Sequence, residues 1–216
     1  PFQAGPAIQR LPVDFQVPAP NPSLETGTAP DIPADKEPSD PEFVWAGNLA
    51  RCLGTVLHRV FKDLAEGGDR SMEKIDEQAL KSALLGEGLS HNQAEDAAAQ
   101  AIKAVRNILG DETGRWILKK RQEQKSEFPL TGILENNYHN RIIDRTFVDE
   151  NGTRWIVDFK TGEHQGTDLE GFFEEEKERY RPQLDQYEKL IRLGGETRPI
   201  KKALYYPMHQ RLIEIF

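Results

Sequence analysis

The sequence has a single cysteine, Cys52, and no long apolar run. One cysteine excludes a disulfide framework, a zinc ribbon and an iron–sulfur cluster with cysteine ligands, and it is compatible with a reducing cytoplasm. No stretch approaches the roughly 18 consecutive apolar residues of a membrane-spanning helix, and no basic segment followed by an apolar one opens the chain as a secretory signal would. We therefore expect a cytoplasmic protein without a membrane partner. Its 37% hydrophobic and 30% charged residues are enough for a core beneath a charged surface.

Basic residues are outnumbered: 28 lysines and arginines face 36 aspartates and glutamates, a net charge of −8. This balance at first argues against a nucleic-acid partner. The charge is uneven, however, because residues 1–45 hold two basic and seven acidic side chains, a net of −5, which leaves −3 for residues 46–216. A domain this close to neutral can still contain a local basic groove.

Proline is concentrated at the start of the chain, where residues 1–45 contain ten of the fourteen. Proline removes backbone donors, and this segment has few aliphatic side chains, so we interpret 1–45 as an extended acidic linker and 46–216 as the folded domain. Within that domain we expect a helical part over 46–122 and a core of sheet and helix over 123–216.

Apolar residues at three- and four-residue spacing predict helices in the first part of the domain. Ser90 with Gln93 forms a capping box, and Asp111 is a second candidate cap. The four expected helices are 46–66, 72–86, one from Ser90 to about Leu109, and one beginning at Asp111.

The hydrophobic period then changes to that of strands. SEFPLTG predicts one strand, and NRIIDRTFVD and TRWIVDFKT predict two more around a turn at Glu150-Asn151-Gly152. Residues 167–194 return to a helical pattern interrupted at Pro182, which suits the first turn of a new helix. IKKALYYP and RLIEIF are candidate closing strands. This order predicts an α/β or α+β domain with a mixed central sheet flanked by helices.

The turn decides whether two aspartates meet. Asp158 and Lys160 lie two residues apart on one predicted strand and so share a face, while Asp144 lies on the neighbouring strand. A two-residue Asn151-Gly152 loop would place Asp144 on the wrong face, whereas a three-residue loop ending in Gly152 places Asp144 directly opposite Asp158. Glycine suits the left-handed position of the longer loop, so we predict the three-residue loop.

Two facing carboxylates need a counter-charge, and oxygen ligands of this kind suit Mg²⁺ or Mn²⁺. A lysine beside them is positioned to stabilise charge on a phosphate or to orient water. The alternative is a pair of solvated strand carboxylates with a surface lysine. Aspartate is disfavoured in strands, and both aspartates are flanked by apolar residues, so the pattern favours a functional site.

These residues resemble a known family. R-I-I-D-R, W-I-V-D-F-K-T-G and Y-R-P-Q-L-D-Q-Y, in that order, are similar to the motifs of RecB-type PD-(D/E)XK nucleases, in particular the C-terminal nuclease domain of AddA/RecB-like, UvrD-family helicases. The resemblance extends upstream to G-T-V-L-H, which contains His58, and to S-E-F-P-L, which contains Glu127. It covers the chain from about Trp45 to the C-terminus and implies a restriction-endonuclease-like fold.

The resemblance also implies roles for these residues. Asp144 and Asp158 would bind Mg²⁺ or Mn²⁺, with His58 and the backbone carbonyl of Phe159 as further ligands. Lys160 would orient or activate the attacking water, and Glu127 would act from a second shell or bind a second metal. Three residues would line the DNA side of the site: Tyr180, Gln183 and Tyr187.

Each assignment has an ordinary alternative. A lone helical histidine is usually a surface or capped core residue, and Tyr180, Gln183 and Tyr187, at i, i+3 and i+7, fit the face of any amphipathic helix. The basic run Lys119, Lys120, Arg121 and Lys125 could contact phosphates or complement a helix dipole. His164, near Lys160 in sequence, is a further candidate for DNA contact.

By resemblance, the chain is the metal-dependent deoxyribonuclease part of a bacterial helicase–nuclease that resects DNA ends in double-strand break repair. A helicase motor would precede residues 1–45 and would use the ATP, since the chain has no Walker A motif. The expected partners are DNA, as single-stranded ends or unwound duplex, and an AddB-like subunit; with one cysteine, no iron–sulfur cluster is expected. The alternatives are a non-catalytic DNA-binding or scaffolding module that retains the nuclease fold, or a helical protein-interaction domain.

Overall fold

The structure is a computed structural model that describes residues 41–67, 76–121, 123–164 and 166–216. Residues 1–40 of the predicted linker lie outside the described residues, and residues 41–45 belong to the first helix. None of the described helices combines the length and the apolar character that crossing a bilayer requires.

The first part of the domain is helical, as predicted. Ser90 caps the third helix: its hydroxyl accepts from the amide of Gln93, whose side chain accepts from the amide of Ser90. Asp111 caps the fourth helix through the amide of Gly114, so both predicted caps are confirmed. Residues 72–75 of the expected second helix lie outside the described part. The helices are α1 (Pro41–Glu66), α2 (Glu77–Gly86), α3 (His91–Gly110) and α4 (Glu112–Leu118).

Five strands in the order β1-β2-β3-β4-β5 form one mixed sheet. Neighbouring strands are antiparallel except β3 and β4, which are parallel. Parallel strands need a crossover, and helix α5 (Leu169–Leu193) supplies it. The strands are β1 (Lys125–Leu134), β2 (Asn137–Val148), β3 (Arg154–Phe159), β4 (Ile200–Tyr206) and β5 (Arg211–Ile215). The predicted mixed sheet flanked by helices is therefore confirmed.

The sheet buries a different helical layer on each face. Trp155, Val157 and Phe159 alternate along β3 and pack into the cluster formed with α1–α4. Ile156, between them, packs with Phe173 and other residues of α5 in a second cluster. β3 is buried along its whole length because both of its faces are covered.

Helix α5 corrects one expectation, because it runs without a break through Pro182. Proline inside a helix removes one backbone hydrogen bond and costs about 3 kcal/mol. Phe173 before it and Leu184 and Leu190 after it are all buried against the sheet, so packing on both sides of Pro182 offsets this cost.

The predicted three-residue hairpin loop and its register are confirmed. Arg145 pairs with Val157 and Val148 with Arg154, and the same register places Asp144 across from Asp158. The amide of Asp149 donates to the carbonyl of Thr153 at 2.9 Å. Gly152 has a φ of 78°, the left-handed conformation for which glycine was expected.

Strand β2 nevertheless changes face at Asp144. Ile143 packs on the α5 side, whereas both Asp144 and Arg145 reach the α1–α4 side, and Phe147 continues there. The ladder with β3 ends at Arg145, immediately after this change. Register alone therefore does not determine where the Asp144 side chain points.

Strand β1 changes face at the matching position. Ser126 accepts a hydrogen bond from Arg145 and Glu127 contacts His58, both on the α1–α4 side, whereas Phe128 packs on the α5 side. Glu127 has a φ of 46°, which is uncommon for a residue with a side chain. The paired distortion turns Glu127 and Asp144 toward the same helix, α1.

Arg145 fixes the strand beside this distortion. Its guanidinium is fully buried and donates to the backbone carbonyls of Ile117 and Lys119 and to the side chains of Ser126 and Gln124, at 2.7–3.2 Å. The end of α4 and the start of β1 are thereby tied to the residue that follows Asp144.

We expect Arg145→Met to lower the free energy of unfolding by about 3–5 kcal/mol, because it leaves buried acceptors without a donor. Arg106→Met, at an exposed position of α3, is the control and should stay within about 0.5 kcal/mol of wild type. Urea titration measures both. Equal stability of the two variants would contradict a structural role for Arg145.

Candidate metal centre

Three potential metal ligands converge at the start of the β1–β2 ladder. The Nδ1 atom of His58 lies 3.3 Å from Oδ1 of Asp144 and 3.5 Å from Oε1 of Glu127. One donor atom from each of the three residues lies within 4.8 Å of the other two. Among the described residues, these three are the group of histidine, cysteine and acidic side chains that could bind one ion.

Helix α1 positions the imidazole. Val56, Leu57 and Phe61 are buried, and they fix the orientation of the helix against the sheet. His58 lies at the edge of that apolar stripe, so its ring packs edge-on against Phe159 and its nitrogen faces the two strand carboxylates. One turn earlier, Gly54 lies close to Thr161, the residue after Lys160.

Asp144 is nearly buried and uses both carboxylate oxygens. One contacts His58, and the other accepts a hydrogen bond from the amide of Phe159 at 2.7 Å. Asp144 thus connects the end of β3 to α1. The backbone carbonyl of Phe159 is a predicted metal ligand. The amide of the same residue is the donor to Asp144.

Asp158 is held separately, on the α5 side. Oδ2 of Asp158 lies 2.8 Å from the ammonium of Lys160, and Oδ1 accepts from the side-chain amide of Gln183 at 3.0 Å. Asp158 is not in the three-residue group, so the structure does not bring together all the ligands that the sequence predicts. The paired distortion at Glu127 and Asp144 is the physical reason: it turns Asp144 toward α1 while Asp158 follows the regular alternation of β3.

The predicted DNA-facing residues have different environments. Tyr180 lies with its ring 3.4 Å from the ammonium of Lys160, a cation–π contact. Gln183 donates to Tyr187 as well as to Asp158. Tyr187 is only 4% exposed, and burial first, then the charge of Asp158, raises its pKa to about 12. In this structure the hydroxyl of Tyr187 accepts a hydrogen bond from Gln183, and the ring of Tyr187 is buried.

Two other groups of candidates lie apart from the centre. Lys119 pairs with Glu150 of the hairpin loop, and Arg121 stacks over Phe147. His164 stacks on Phe172, and its amide donates to the ring of His209. These contacts are structural and do not reach the three-residue group.

Two cations beside His58 were not singled out in the sequence. Arg59 and Lys62 line a cavity of about 510 Å³ together with Gly54, Thr55, His58 and Glu127. The spacing could have identified Lys62, because it lies four residues after His58 and thus on the same face of α1. The cavity opens beside the candidate ligands, and the charge of Lys62 acts on Glu127.

A proton on His58 balances part of the negative charge of Asp144 and Glu127. Burial alone would lower the pKa of His58, but the hydrogen bond and charge of Asp144, with the charges of Glu127 and Asp158, outweigh it and raise the pKa to about 9. Burial, followed by the charge of Asp144, raises the pKa of Glu127 and that of Asp158. An imidazolium therefore holds Glu127 and Asp144 together at neutral pH.

The donor set fits a divalent cation. Two carboxylates and one imidazole are a mixed oxygen and nitrogen set that suits Mn²⁺, and carboxylate oxygens also suit Mg²⁺. Burial and, after it, the charge of Asp144 disfavour the charged forms of Glu127 and Asp158, and a bound cation would favour them.

A family model described as the PD-(D/E)XK nuclease superfamily matches residues 44–214, most of the chain. The matched region contains every residue of the candidate centre. No curated protein sequence matches the chain.

We expect Mn²⁺ binding at pH 7.5 to release about one proton, because His58 must lose its proton before Nδ1 can bind a metal. Calorimetry in buffers of different ionisation enthalpy measures this release. The affinity should rise with pH up to about 9, and His58→Ala should release almost no proton.

The same pKa shift predicts the pH dependence of the metal-free protein. The pKa of His58 is raised above its ordinary value of 6.5, so its stabilising effect is complete below about pH 6.5 and is lost as the pH rises through about 9. His58→Ala should remove this part of the dependence. A wild-type stability curve that coincides with that of His58→Ala between pH 6 and 9 would contradict the assignment.

Glu127 allows a test of the strand distortion. Glu127→Gly and Glu127→Ala both remove the carboxylate, but only glycine adopts a φ of 46° without strain. We expect Glu127→Gly to be more stable than Glu127→Ala by about 1 kcal/mol, and both to bind Mn²⁺ more weakly than wild type. Thermal unfolding with and without Mn²⁺ measures both effects. The usual order, with alanine more stable, would show that the backbone at Glu127 is regular.

Proposed function

Because the chain belongs to the PD-(D/E)XK nuclease superfamily, we propose that it is a Mg²⁺- or Mn²⁺-dependent deoxyribonuclease of the RecB type. It would hydrolyse phosphodiester bonds of DNA. The observation that carries this proposal is the convergence of His58, Glu127 and Asp144, with Lys160 and Asp158 on the adjoining strand end.

A bound divalent cation would polarise the scissile phosphate and lower the pKa of a water molecule. His58 and Asp144 would bind it, and Glu127 would complete the donor set in this structure or act from a second shell. Asp158 would join through a carboxylate oxygen that Gln183 or Lys160 now contacts. Burial and the charge of Asp144 disfavour the charged form of Asp158, and a nearby cation would favour it.

Lys160 is the candidate catalytic group. Its ammonium is largely buried between Asp158 and the ring of Tyr180, and its amide donates to the carbonyl of Tyr205, which fixes the start of the loop after β3. In this position the ammonium can orient a water molecule or stabilise negative charge that develops on the phosphate.

The finer assignment rests on the motifs. Their order, the helical histidine and the single cysteine support the AddA/RecB-like branch, in which the nuclease domain follows a UvrD-family helicase. In that setting the segment before α1 is the linker to the motor, the motor uses ATP, and the partners are DNA ends and an AddB-like subunit in the bacterial cytoplasm. The biological process would be end resection in double-strand break repair.

One observation favours a second candidate, a non-catalytic DNA-binding module with the same fold. Asp158 is engaged by Lys160 and Gln183, outside the three-residue group. If this arrangement persists with metal bound, the chain would bind DNA without cutting it.

Degradation of linear single-stranded DNA with Mn²⁺ separates the two candidates. We expect cleavage by wild type and a loss of roughly 10²- to 10³-fold in rate for Lys160→Ala, the usual effect of removing one group that stabilises the transition state. Lys201→Ala is the matched control, since Lys201 is also a strand lysine paired with a carboxylate, that of Glu214 at 3.0 Å. It should cut at the wild-type rate.

Thermal stabilisation by Mn²⁺ in Lys160→Ala shows that the variant is folded and binds metal. Equal degradation by Lys160→Ala and Lys201→Ala would contradict the catalytic role proposed for Lys160. No cleavage by wild type despite Mn²⁺ stabilisation would support the non-catalytic module.

A further inference from the structure

One face of the β1–β2 hairpin is exposed, uncharged and partly apolar. Ile133 is 67% exposed, Tyr138 is 71% exposed and Ile142 is 51% exposed, and they belong to the few large apolar side chains that the described residues leave in solvent. These three define what we call the hairpin face.

Strand pairing places the three side chains on the same side. Ile133 is paired with Tyr138, and Ile142 lies four residues after Tyr138 on the same strand. Between them, Thr131 is paired with Asn140, and their side chains contact each other at 3.5 Å. The face therefore alternates apolar and small polar groups and contains no charge.

The other side of the hairpin is already covered. A side chain at Gly132 would collide with Leu190 of α5, and Arg141 and His139 both contact Gln186 of the same helix. The hairpin face is thus on the side of α1–α4, but it extends beyond the part of the sheet that those helices bury.

The hairpin face leads directly to the candidate metal centre. Ile142 is two residues from Asp144, and Tyr138 is six residues from it, about 20 Å along the strand. At the near end, α1 presents Lys62 and Arg59 around the cavity beside His58. Arg59 is paired with Glu87 at 2.8 Å, whereas the charge of Lys62 acts on Glu127 of the candidate centre.

We propose that the hairpin face binds the bases of single-stranded DNA that enters the metal centre, with Tyr138 stacking on a base and Lys62 contacting the backbone. This inference rests on the proposed function and names the form of its substrate. Aromatic and apolar groups bind exposed bases, whereas a duplex presents phosphates and would be met by charge, which this face lacks.

A protein occupant fits this face less well. Pro129 removes one donor from the edge strand β1, which disfavours strand addition by a second copy. Three exposed apolar side chains around a polar Thr131–Asn140 pair are also few for the roughly 800 Å² per partner of a stable interface. A single strand needs only one or two stacking positions.

Fluorescence anisotropy with labelled oligo(dT) in EDTA, where no turnover occurs, tests the proposal. We expect Tyr138→Ala to weaken binding roughly 5- to 150-fold, the range for loss of one stacked base. Tyr138→Phe should bind like wild type. Leu193→Ala is the matched control, because Leu193 is 62% exposed but belongs to α5, on the other side of the hairpin.

An abasic oligonucleotide of the same length separates base binding from phosphate binding. Wild type should bind it more weakly than oligo(dT), and Tyr138→Ala should bind the two alike. The proposal is overturned if wild type binds both equally, or if Tyr138→Ala and Leu193→Ala have the same affinity for oligo(dT). A dimer in size-exclusion chromatography without DNA that Tyr138→Ala dissociates would also overturn it.

These outcomes are separable from those of the proposed function. Normal Mn²⁺-dependent cleavage by Tyr138→Ala with an unchanged KM for single-stranded DNA would contradict DNA binding by the hairpin face. The proposed nuclease activity would stand. Base-dependent binding by a wild-type protein that never cuts DNA would contradict the proposed nuclease activity. The proposal for the hairpin face would stand.

Discussion

The candidate centre depends on one electrostatic constraint: Glu127 and Asp144 are held side by side, and a positive charge must accompany them. Without metal, the proton on His58 supplies that charge, because the nearby carboxylates outweigh burial and raise the pKa of His58. The three groups come from α1, β1 and β2, so their approach depends on the packing of the helical layer on the sheet. The same packing that builds the core thus places a candidate cation site at its edge.

The rest of the fold serves this arrangement. Arg145 ties the end of α4 to β2 at the residue after Asp144, and the distortion shared by Glu127 and Asp144 turns both carboxylates toward α1. On the other side of the sheet, α5 contacts Asp158 through Gln183. At the end of β3, Asp144 therefore contacts α1 and Asp158 contacts α5, and Lys160 follows directly after the strand.

Local sequence rules were sufficient for part of this structure. The caps at Ser90 and Asp111 and the Gly152 turn follow from short-range chemistry, and the turn determined the register of β2 on β3. Three features could not be derived in this way. The change of face at Glu127, the continuity of α5 through Pro182 and the burial of Tyr187 all result from tertiary packing, which overrides local preference. The metal ligands that the motifs predict remain a prediction, because Asp158 lies outside the three-residue group.

The most direct test of the centre is a crystal structure of the Mn²⁺-soaked protein with anomalous data. We predict a peak within bonding distance of His58 Nδ1 and an Asp144 oxygen, with the imidazole no longer paired to the carboxylates. Movement of Asp158 from Gln183 toward the ion would complete the ligand set that the motifs imply. No peak at this position, with His58 still paired to Asp144 and Glu127 at saturating Mn²⁺, would contradict the account.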